Sequence, residues 1–144
     1  MRLAVAKPRD AARLATILAD WKDETPWLPD LHSRDEDARF FTHLIAETEV
    51  LTLRNWRGLQ GFLARDGEVV QALYVAGPAR GRGIGKQLLG EAKRRSNRLS
   101  LWTFQANARA RAFYSREGFR EAEATDGAAN DEKLPDVRLV WERG

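Results

Sequence analysis

A glycine-rich turn constrains this chain of 144 residues more than any other feature. It reads Arg80-Gly81-Arg82-Gly83-Ile84-Gly85, and it follows an apolar, β-branched stretch at 69–75 that is typical of a strand. The residues after the turn place one apolar face on a helix: Ile84, Leu88, Leu89 and Ala92. A turn of this kind leaves backbone N–H groups at the start of a helix without carbonyl partners. Together with the positive end of the helix dipole, these donors predict an anion site.

The identity of the anion is narrowed by what the turn lacks. A Walker loop is excluded because Arg80 stands in place of its first glycine and Gln87 in place of its Ser or Thr. A dinucleotide fingerprint is excluded because Lys86 takes the place of its third glycine. The pattern that fits is Arg/Gln-x-x-Gly-x-Gly/Ala, with Arg80, Gly83 and Gly85 in the defining positions.

A second pattern follows in the expected order. A strand-like run at 99–105 leads to Asn107, a short alanine-rich helix, Phe113-Tyr114, and then Gly118-Phe119. The two patterns, in this order and at this spacing, resemble the signatures of the GCN5-related N-acetyltransferase (GNAT) family. The resemblance covers residues 60–141 well and the N-terminal third in outline.

The fold expected from the resemblance agrees with the order of elements in the sequence. Apolar periodicities, turn residues and capping residues predict β-α-α-β-β-β-α-β-α-β-β, an α/β arrangement with helices on both faces of a mixed sheet. The family fold implies six to seven strands splayed after the fourth, with about four helices. A length of 144 residues fits one domain, 1–144.

Local signals place some details within these elements. Asp10 and Ser33 are expected to cap the first two helices, and Ser33 is followed by Glu36 in a capping box. Phe40 and Phe41 are expected to face inward from the second helix. Asp66-Gly67 is expected to form the turn of a hairpin.

The resemblance implies acetyl-CoA as the acyl donor and assigns residues to it. Backbone N–H groups between Arg80 and Lys86 would bind its pyrophosphate, and a backbone N–H on the strand Leu73–Val75 would stabilise the oxyanion. Asn107 would bond the pantetheine arm, cap the helix, or do both. The cofactor-binding set is Leu73, Val75, Arg80, Gly81, Arg82, Gly83, Ile84, Gly85, Lys86, Asn107 and Tyr114.

The implied chemistry is direct attack of an amine on the thioester. Tyr114 would protonate the leaving thiolate; the alternative is a buried tyrosine that only packs. The amine must lose a proton, but the strand before the turn carries no acid. The candidate bases are therefore His32, Asp126 and Glu132, in loops expected on the acceptor side. Trp27, His32 and Asp126 are the expected acceptor-binding residues; plain exposure to solvent is the alternative for the polar ones, and covering the end of the sheet for Trp27.

The charges are unevenly distributed along the chain. Residues 77–116 hold ten Lys or Arg and one acid, whereas 20–37 hold seven acids and 120–136 hold six. This distribution predicts a basic surface that meets a phosphorylated cofactor and acidic loops that attract a cationic acceptor. The alternative is that these are ordinary solvated surfaces.

Other function classes are weighed against the same features. The basic stretch is also compatible with a protein that binds nucleic acid. In such proteins aromatic residues interleave with the cations and stack on the bases, and this sequence lacks that pattern. We therefore expect no nucleic-acid partner. A non-catalytic acyl-CoA sensor is the remaining alternative. There is no cysteine and no apolar run of membrane length, and we expect no metal. With no export signal, we expect a cytoplasmic protein that is a monomer or a homodimer.

Overall fold

A mixed sheet of seven strands organises the chain in the computed structural model, which describes residues 1–144. The strand order is β1-β2-β3-β4-β5-β7-β6, and every neighbouring pair is antiparallel except β4 and β5. The strands are β1 (Arg2–Val5), β2 (Glu49–Asn55), β3 (Gly58–Asp66), β4 (Val69–Val75), β5 (Arg98–Phe104), β6 (Arg120–Thr125) and β7 (Asp136–Glu142). The helices are α1 (Ala11–Asp23), α2 (Arg34–Glu47), α3 (Ile84–Arg95) and α4 (Ala108–Arg116), with short 3-10 turns at Pro8–Asp10 and Gly77–Ala79.

The sheet opens between β4 and β5. These parallel strands pair at a single position, Val69 opposite Ser100, and then diverge. On its other side β4 carries a bulge: Ala72 and Val70 face successive residues of β3, which leaves Gln71 without a partner. A bulge bends its strand and increases the local twist. The prediction of a sheet splayed after the fourth strand is confirmed, and the resulting gap positions the site.

Helices cover the two faces of the sheet. Phe41 of α2 packs edge-on against Phe62 of β3 on one face, with ring centroids 5.4 Å apart. On the other face α3 lies so close to β3 that a Cβ at Gly61 would stand 2.7 Å from Cγ2 of Ile84. A glycine is therefore required for this packing. None of the helices combines the length and the apolar character that crossing a membrane requires.

The two expected helix caps have different outcomes. Ser33 and Glu36 form the capping box, with bonds of 3.1 and 3.3 Å between each side chain and the other's backbone N–H. Asp10 makes no side-chain cap for α1. Its carboxylate instead accepts from the Lys7 backbone N–H and from Arg54, at 2.8 and 2.7 Å. A buried carboxylate is stabilised more by a guanidinium than by one amide, so this pairing is preferred.

Two smaller expectations are also corrected. Phe40 does not face inward: its side chain is 51% exposed, whereas Phe41 is 1% exposed. Successive helical residues are about 100° apart, and α2 turns Phe41 rather than its neighbour to the sheet. The hairpin turn lies one residue further on, at 67–68, because Asp66 still pairs with Val69.

Candidate active site

Two cavities meet where β4 and β5 diverge. The larger, here called the loop cavity, has a volume of about 690 Å³ and is bounded by the glycine-rich turn and α4. The smaller, here called the gap cavity, has a volume of about 280 Å³ and lies between the separated ends of β4 and β5. Six residues line both: Trp21, Leu73, Tyr74, Asn107, Ala110 and Tyr114.

The glycine-rich turn presents a row of free backbone donors to the loop cavity. Gly81 and Gly83 have φ values of +79° and +78°, in the left-handed region that favours glycine. No N–H group from Gly81 to Lys86 has a partner within the protein; the first helical bond comes from Gln87. A Cβ built on Gly81 or Gly83 would meet no atom within 4 Å, so the turn borders open space. This arrangement suits a phosphate group.

Arg80 lines the loop cavity, but its own donors are largely engaged. Its backbone N–H bonds the Gly77 carbonyl at 3.2 Å, and its Nε bonds the Val75 carbonyl at 3.3 Å. Its Nη1 forms an ion pair with Glu24, just beyond the end of α1. The side chain therefore fixes the entrance to the turn.

The other cations of this region do not all line the loop cavity. Arg82 does not line the loop cavity; with Trp56 it lines a separate pocket of about 150 Å³. Its backbone N–H remains in the free row. The cations that line the loop cavity besides Arg80 are Lys86, Arg109 and Arg116, against one acid, Glu117.

Close packing narrows the loop cavity beyond the turn. A Cβ at Gly85 would stand 3.4 Å from Cζ of Phe113 and 3.9 Å from Cγ2 of Val75. Opposite, the Asn107 side chain accepts the Ala110 N–H at 3.1 Å and so caps α4. Its amide N–H groups make no bond within the protein and are left for a ligand. Both roles considered for Asn107 are therefore compatible with this geometry.

The last residues of β4 turn alternate backbone groups into the gap. Ala76 donates its N–H to the Gln60 carbonyl at 2.8 Å. Because alternate residues of an antiparallel strand bond the partner strand, the N–H of Tyr74 faces β3, and those of Leu73 and Val75 face the gap. These two donors lie on the wall of the loop cavity.

Tyr114 lies at the junction of the two cavities. The residue is only 8% exposed, and its ring packs against Phe113 and Phe119 with centroids 5.1 and 5.3 Å apart. Its hydroxyl makes no hydrogen bond within the protein. Since no fully inaccessible side-chain N or O atom is unpaired, this hydroxyl opens onto a cavity. Burial, and then the nearby Tyr74, raise the pKa of Tyr114, so the phenol keeps its proton and can donate it.

Tyr74 has a similar setting on the opposite wall. Its ring packs against Trp21 and Phe62, with centroids 5.3 and 5.8 Å apart. Its hydroxyl also lacks a partner within the protein and opens onto a cavity. Burial raises the pKa of Tyr74 to about 12, and the charges of Glu132 and Asp37 add to the shift.

The gap cavity is aromatic and acidic. Its aromatic side chains, besides the two tyrosines, are Trp21, Trp102 and Phe104. Its two acids are Glu132 and Asp136, and it has no Lys or Arg. Asp136 is already bonded to Thr125 and, at 3.2 Å, to Asn130. Glu132 makes no hydrogen bond or ion pair within the protein, so it is the free negative group of this cavity.

The structure brings only one of the expected loop residues to a cavity wall. Glu132 lines the gap cavity, whereas His32 is exposed and pairs with Glu36 at 3.2 Å. Asp126 is also exposed and accepts the Ala128 N–H at 2.9 Å, in a local turn of its own loop. Neither His32 nor Asp126 lines the loop cavity or the gap cavity.

Trp27 stands behind the cavity wall. Its ring packs edge-on against Trp21 and Phe104, with centroids 6.3 and 5.8 Å apart. It thereby joins the loop after α1 to the end of β5 across the open part of the sheet. Trp27 therefore supports two lining residues without lining the cavity itself.

Ion pairs with basic residues compensate four of the acids in the two acidic segments. Asp37 pairs with Lys22 at 2.8 Å, and Glu24 pairs with Arg80. In the second segment Glu121 pairs with Arg111 at 2.5 Å and Glu123 with Arg138 at 3.4 Å. Counting charges along the sequence overstates the acidity because it omits these partners. No group of three or more His, Asp or Glu side chains is placed to hold a metal ion.

Several cavity residues were not singled out from the sequence. Tyr74 could have been identified from the sequence, since it is an aromatic residue with a hydroxyl group in an apolar strand shortly before the glycine-rich turn. The position of Trp102 within a strand predicts a packing role, but the residue is 47% exposed and lines the gap cavity. Trp21 and Asn130 gave no signal, because they reach the cavity only through tertiary folding.

Comparison with known proteins identifies relatives of the whole chain. A family model described as an acetyltransferase (GNAT) domain matches residues 36–121. The peptidyl-lysine N-acetyltransferase YiaC of Escherichia coli (strain K12) is 31% identical over 146 aligned positions, which cover 92% of this chain and 94% of that protein.

Solved structures share the fold. The solution structure of apo-form YjaB from Escherichia coli has a TM-score of 0.81 at 21% identity, covering 100% of both chains. The structure of yncA from Salmonella typhimurium, solved with its cofactor acetyl-CoA, has a TM-score of 0.73 at 17% identity. It covers 100% of this chain and 94% of that one. At these identities the superpositions establish the fold.

Proposed function

This chain belongs to the GNAT family of acetyltransferases, and we propose that it acetylates a cationic primary amine, specifically the ε-amino group of a lysine in a peptide or protein. As a family member it is an N-acyltransferase with acetyl-CoA as the acyl donor. The observation that carries the choice of acceptor is the charge contrast between the two cavities. The loop cavity is cationic, whereas the gap cavity has acids and no cation.

The loop cavity fits the donor. Its free N–H row from Gly81 to Lys86 and the cations of Lys86, Arg109 and Arg116 match the negative charge of a pyrophosphate and a further phosphate. The free amide of Asn107 suits the amide groups of a pantetheine arm. Acetyl-CoA, when bound, supplies an activated acetyl thioester to the gap between β4 and β5.

The gap cavity fits a lysine side chain. Trp21, Trp102 and Phe104 offer apolar faces to four methylene groups, and aromatic faces also attract an ammonium group. Glu132 supplies an unpaired carboxylate at the same cavity. The identity of YiaC as a peptidyl-lysine N-acetyltransferase supports the same acceptor class.

The residues divide the chemistry between them. A lysine amine titrates at about 10.4 and must lose a proton before it attacks. Glu132 is the proposed acceptor of that proton, and Tyr114 the proposed donor to the leaving thiolate. The N–H groups of Leu73 and Val75 face the gap and are available to the acyl oxygen as negative charge develops on it.

A panel of matched acceptors tests the proposal. The base peptide would be short, blocked at its N-terminus and without charge apart from one lysine. In the first control peptide, norleucine replaces the lysine. The second control, here called the acidic amine, has a free N-terminal amine beside glutamate residues. CoA release and the mass of the product would be measured for each peptide.

The expected result is acetylation of the lysine peptide alone, or at a kcat/KM at least about tenfold above that of the acidic amine. Preference for the acidic amine would refute the cationic acceptor. Binding of acetyl-CoA without turnover on any amine would favour the non-catalytic sensor instead.

A further inference from the structure

The hydroxyl of Tyr74 has no part in the chemistry assigned so far. The residue lines both cavities, and its hydroxyl opens onto a cavity without a partner inside the protein. The ring alone accounts for the packing against Trp21 and Phe62. A phenylalanine would pack equally well and would not place a polar atom in an aromatic wall, where an unused hydroxyl is costly.

The charged and titratable groups around Tyr74 come from every element packed against it. Asp37 on α2 is held by Lys22 of α1 at 2.8 Å, so its charge is already compensated. On the side of the gap cavity, Asp136 is bonded to Thr125 and Asn130. The groups left without partners are Glu132 in the loop before β7 and the Tyr114 hydroxyl on α4.

Glu132 and Tyr74 are thus two polar groups of the gap cavity that have no hydrogen-bond partner within the protein. They come from opposite borders of the gap, one from the β6–β7 loop and one from β4. An amine that enters between the aromatic side chains approaches both of them. Both residues line the gap cavity.

We propose that Tyr74 is a catalytic residue that contacts the acceptor nitrogen and relays its proton to Glu132. This inference rests on the proposed N-acetyltransferase function and adds a residue to it. In the step, an N–H bond of the ammonium breaks and its hydrogen bonds to Oη of Tyr74, while the original Tyr74 O–H bond breaks and that proton passes to a water molecule in the gap cavity. The water gives one of its own protons to a carboxylate oxygen of Glu132. The products are a neutral amine, an unchanged phenol and a protonated carboxyl group.

The relay lets a residue on a rigid strand, and not only a loop residue, position the acceptor nitrogen for proton transfer. Glu132 is on a loop and Tyr74 is on a strand whose position is fixed by β3. A group on a rigid strand defines the position of the nitrogen better than a group on a loop. Because its phenol stays neutral, Tyr74 can donate and accept a hydrogen bond at the same time.

The test compares the two tyrosines of the chain, through Tyr74→Phe and Tyr114→Phe. Each change removes one hydroxyl that has no partner in the protein, so neither is expected to unfold it. We would measure kcat/KM for the lysine peptide as a function of pH, the Kd of acetyl-CoA by calorimetry, and the melting temperature.

The expected pattern separates the two hydroxyls. Tyr74→Phe lowers kcat/KM at least about tenfold near pH 7, and the loss shrinks as the pH approaches about 10.4, where the amine is deprotonated without help. Tyr114→Phe lowers activity without this recovery, because its step does not depend on the state of the amine. Neither variant changes the Kd of acetyl-CoA by more than about twofold.

A double variant gives a second readout. Tyr74→Phe combined with Glu132→Gln is expected to be no slower than the slower single variant, because either change interrupts the same relay. A purely packing role for Tyr74 predicts additive losses and no change in the pH profile. That result, or a Tyr74→Phe activity within about twofold of wild type at neutral pH, overturns the inference. If the wild-type protein acetylates no amine at all, the proposed function fails instead.

Discussion

The two cavities differ in how the chain builds them. The loop cavity depends on two short segments, 80–86 and 107–116, whose backbone donors and cations are set by local sequence. The gap cavity is assembled from side chains of α1, β4, β5, α4 and the β6–β7 loop. Of the residues that line the gap cavity, only Asn107, Ala110 and Tyr114 come from the two segments that dominate the loop cavity. Substitutions can therefore alter one cavity without altering the other.

The sharpest test of this division is Tyr114, which lies on α4 and lines both cavities. Tyr114→Phe is expected to lower kcat by about 10²-fold, since it removes the proposed proton donor to the leaving thiolate. The Kd of acetyl-CoA should change little, because the ring packing against Phe113 and Phe119 is retained. Steady-state kinetics and calorimetry on the same preparation would check both. A kcat within about twofold of wild type would return Tyr114 to a packing role.

The donor side can be disrupted separately. Gly83→Asp places a carboxylate beside the free N–H row and forces a side chain into a left-handed backbone conformation. Acetyl-CoA affinity should fall at least about tenfold, or roughly 1.4 kcal/mol, by calorimetry.

Gly67→Asp is the matched control for this change. Gly67 also has a positive φ, +57°, and a Cβ there would meet no atom within 4 Å, but it lies in the β3–β4 turn and lines neither major cavity. Its acetyl-CoA affinity should match wild type. Equal losses in the two variants would mean that backbone strain, and not the anion site, is responsible.

A smaller effect is expected from salt. Attraction between an unpaired Glu132 and a cationic acceptor should weaken as the Debye length shortens to about 8 Å at physiological ionic strength. The KM for the lysine peptide should therefore rise severalfold between low and physiological salt. A KM that does not depend on salt would show that steering by this cavity is negligible.

The sequence predicted the fold and the loop cavity because both follow from local rules. Glycines at 81 and 83 require a left-handed backbone, and the helix that begins at Ile84 leaves its first donors free wherever the chain goes next. Asn107 is a cap by the same kind of local reasoning. The splay after β4 came from the family resemblance, and the structure gives its physical cause in the bulge at Gln71.

The acceptor side was predicted less well for a physical reason. Whether a loop residue reaches a cavity depends on long-range contacts, such as the ion pair that keeps His32 beside Glu36 and the turn that occupies Asp126. The same holds for Trp102, whose place in a strand predicts packing although the residue is 47% exposed and lines the gap cavity. Only Glu132, of the expected loop residues, lines a cavity.

One charge reversal tests the central claim, that the gap cavity selects a cationic acceptor while the loop cavity holds the donor. Glu132→Lys would be compared with Asp126→Lys, which makes the same change of charge on the same loop but outside both cavities. The measurement is the ratio of kcat/KM for the lysine peptide to kcat/KM for the acidic amine, with the Kd of acetyl-CoA taken in parallel. The account predicts that this ratio falls about tenfold or more in Glu132→Lys and stays within about twofold of wild type in Asp126→Lys, with the Kd unchanged in both. Equal ratios in the two variants, or a loss of acetyl-CoA binding in Glu132→Lys, would contradict it.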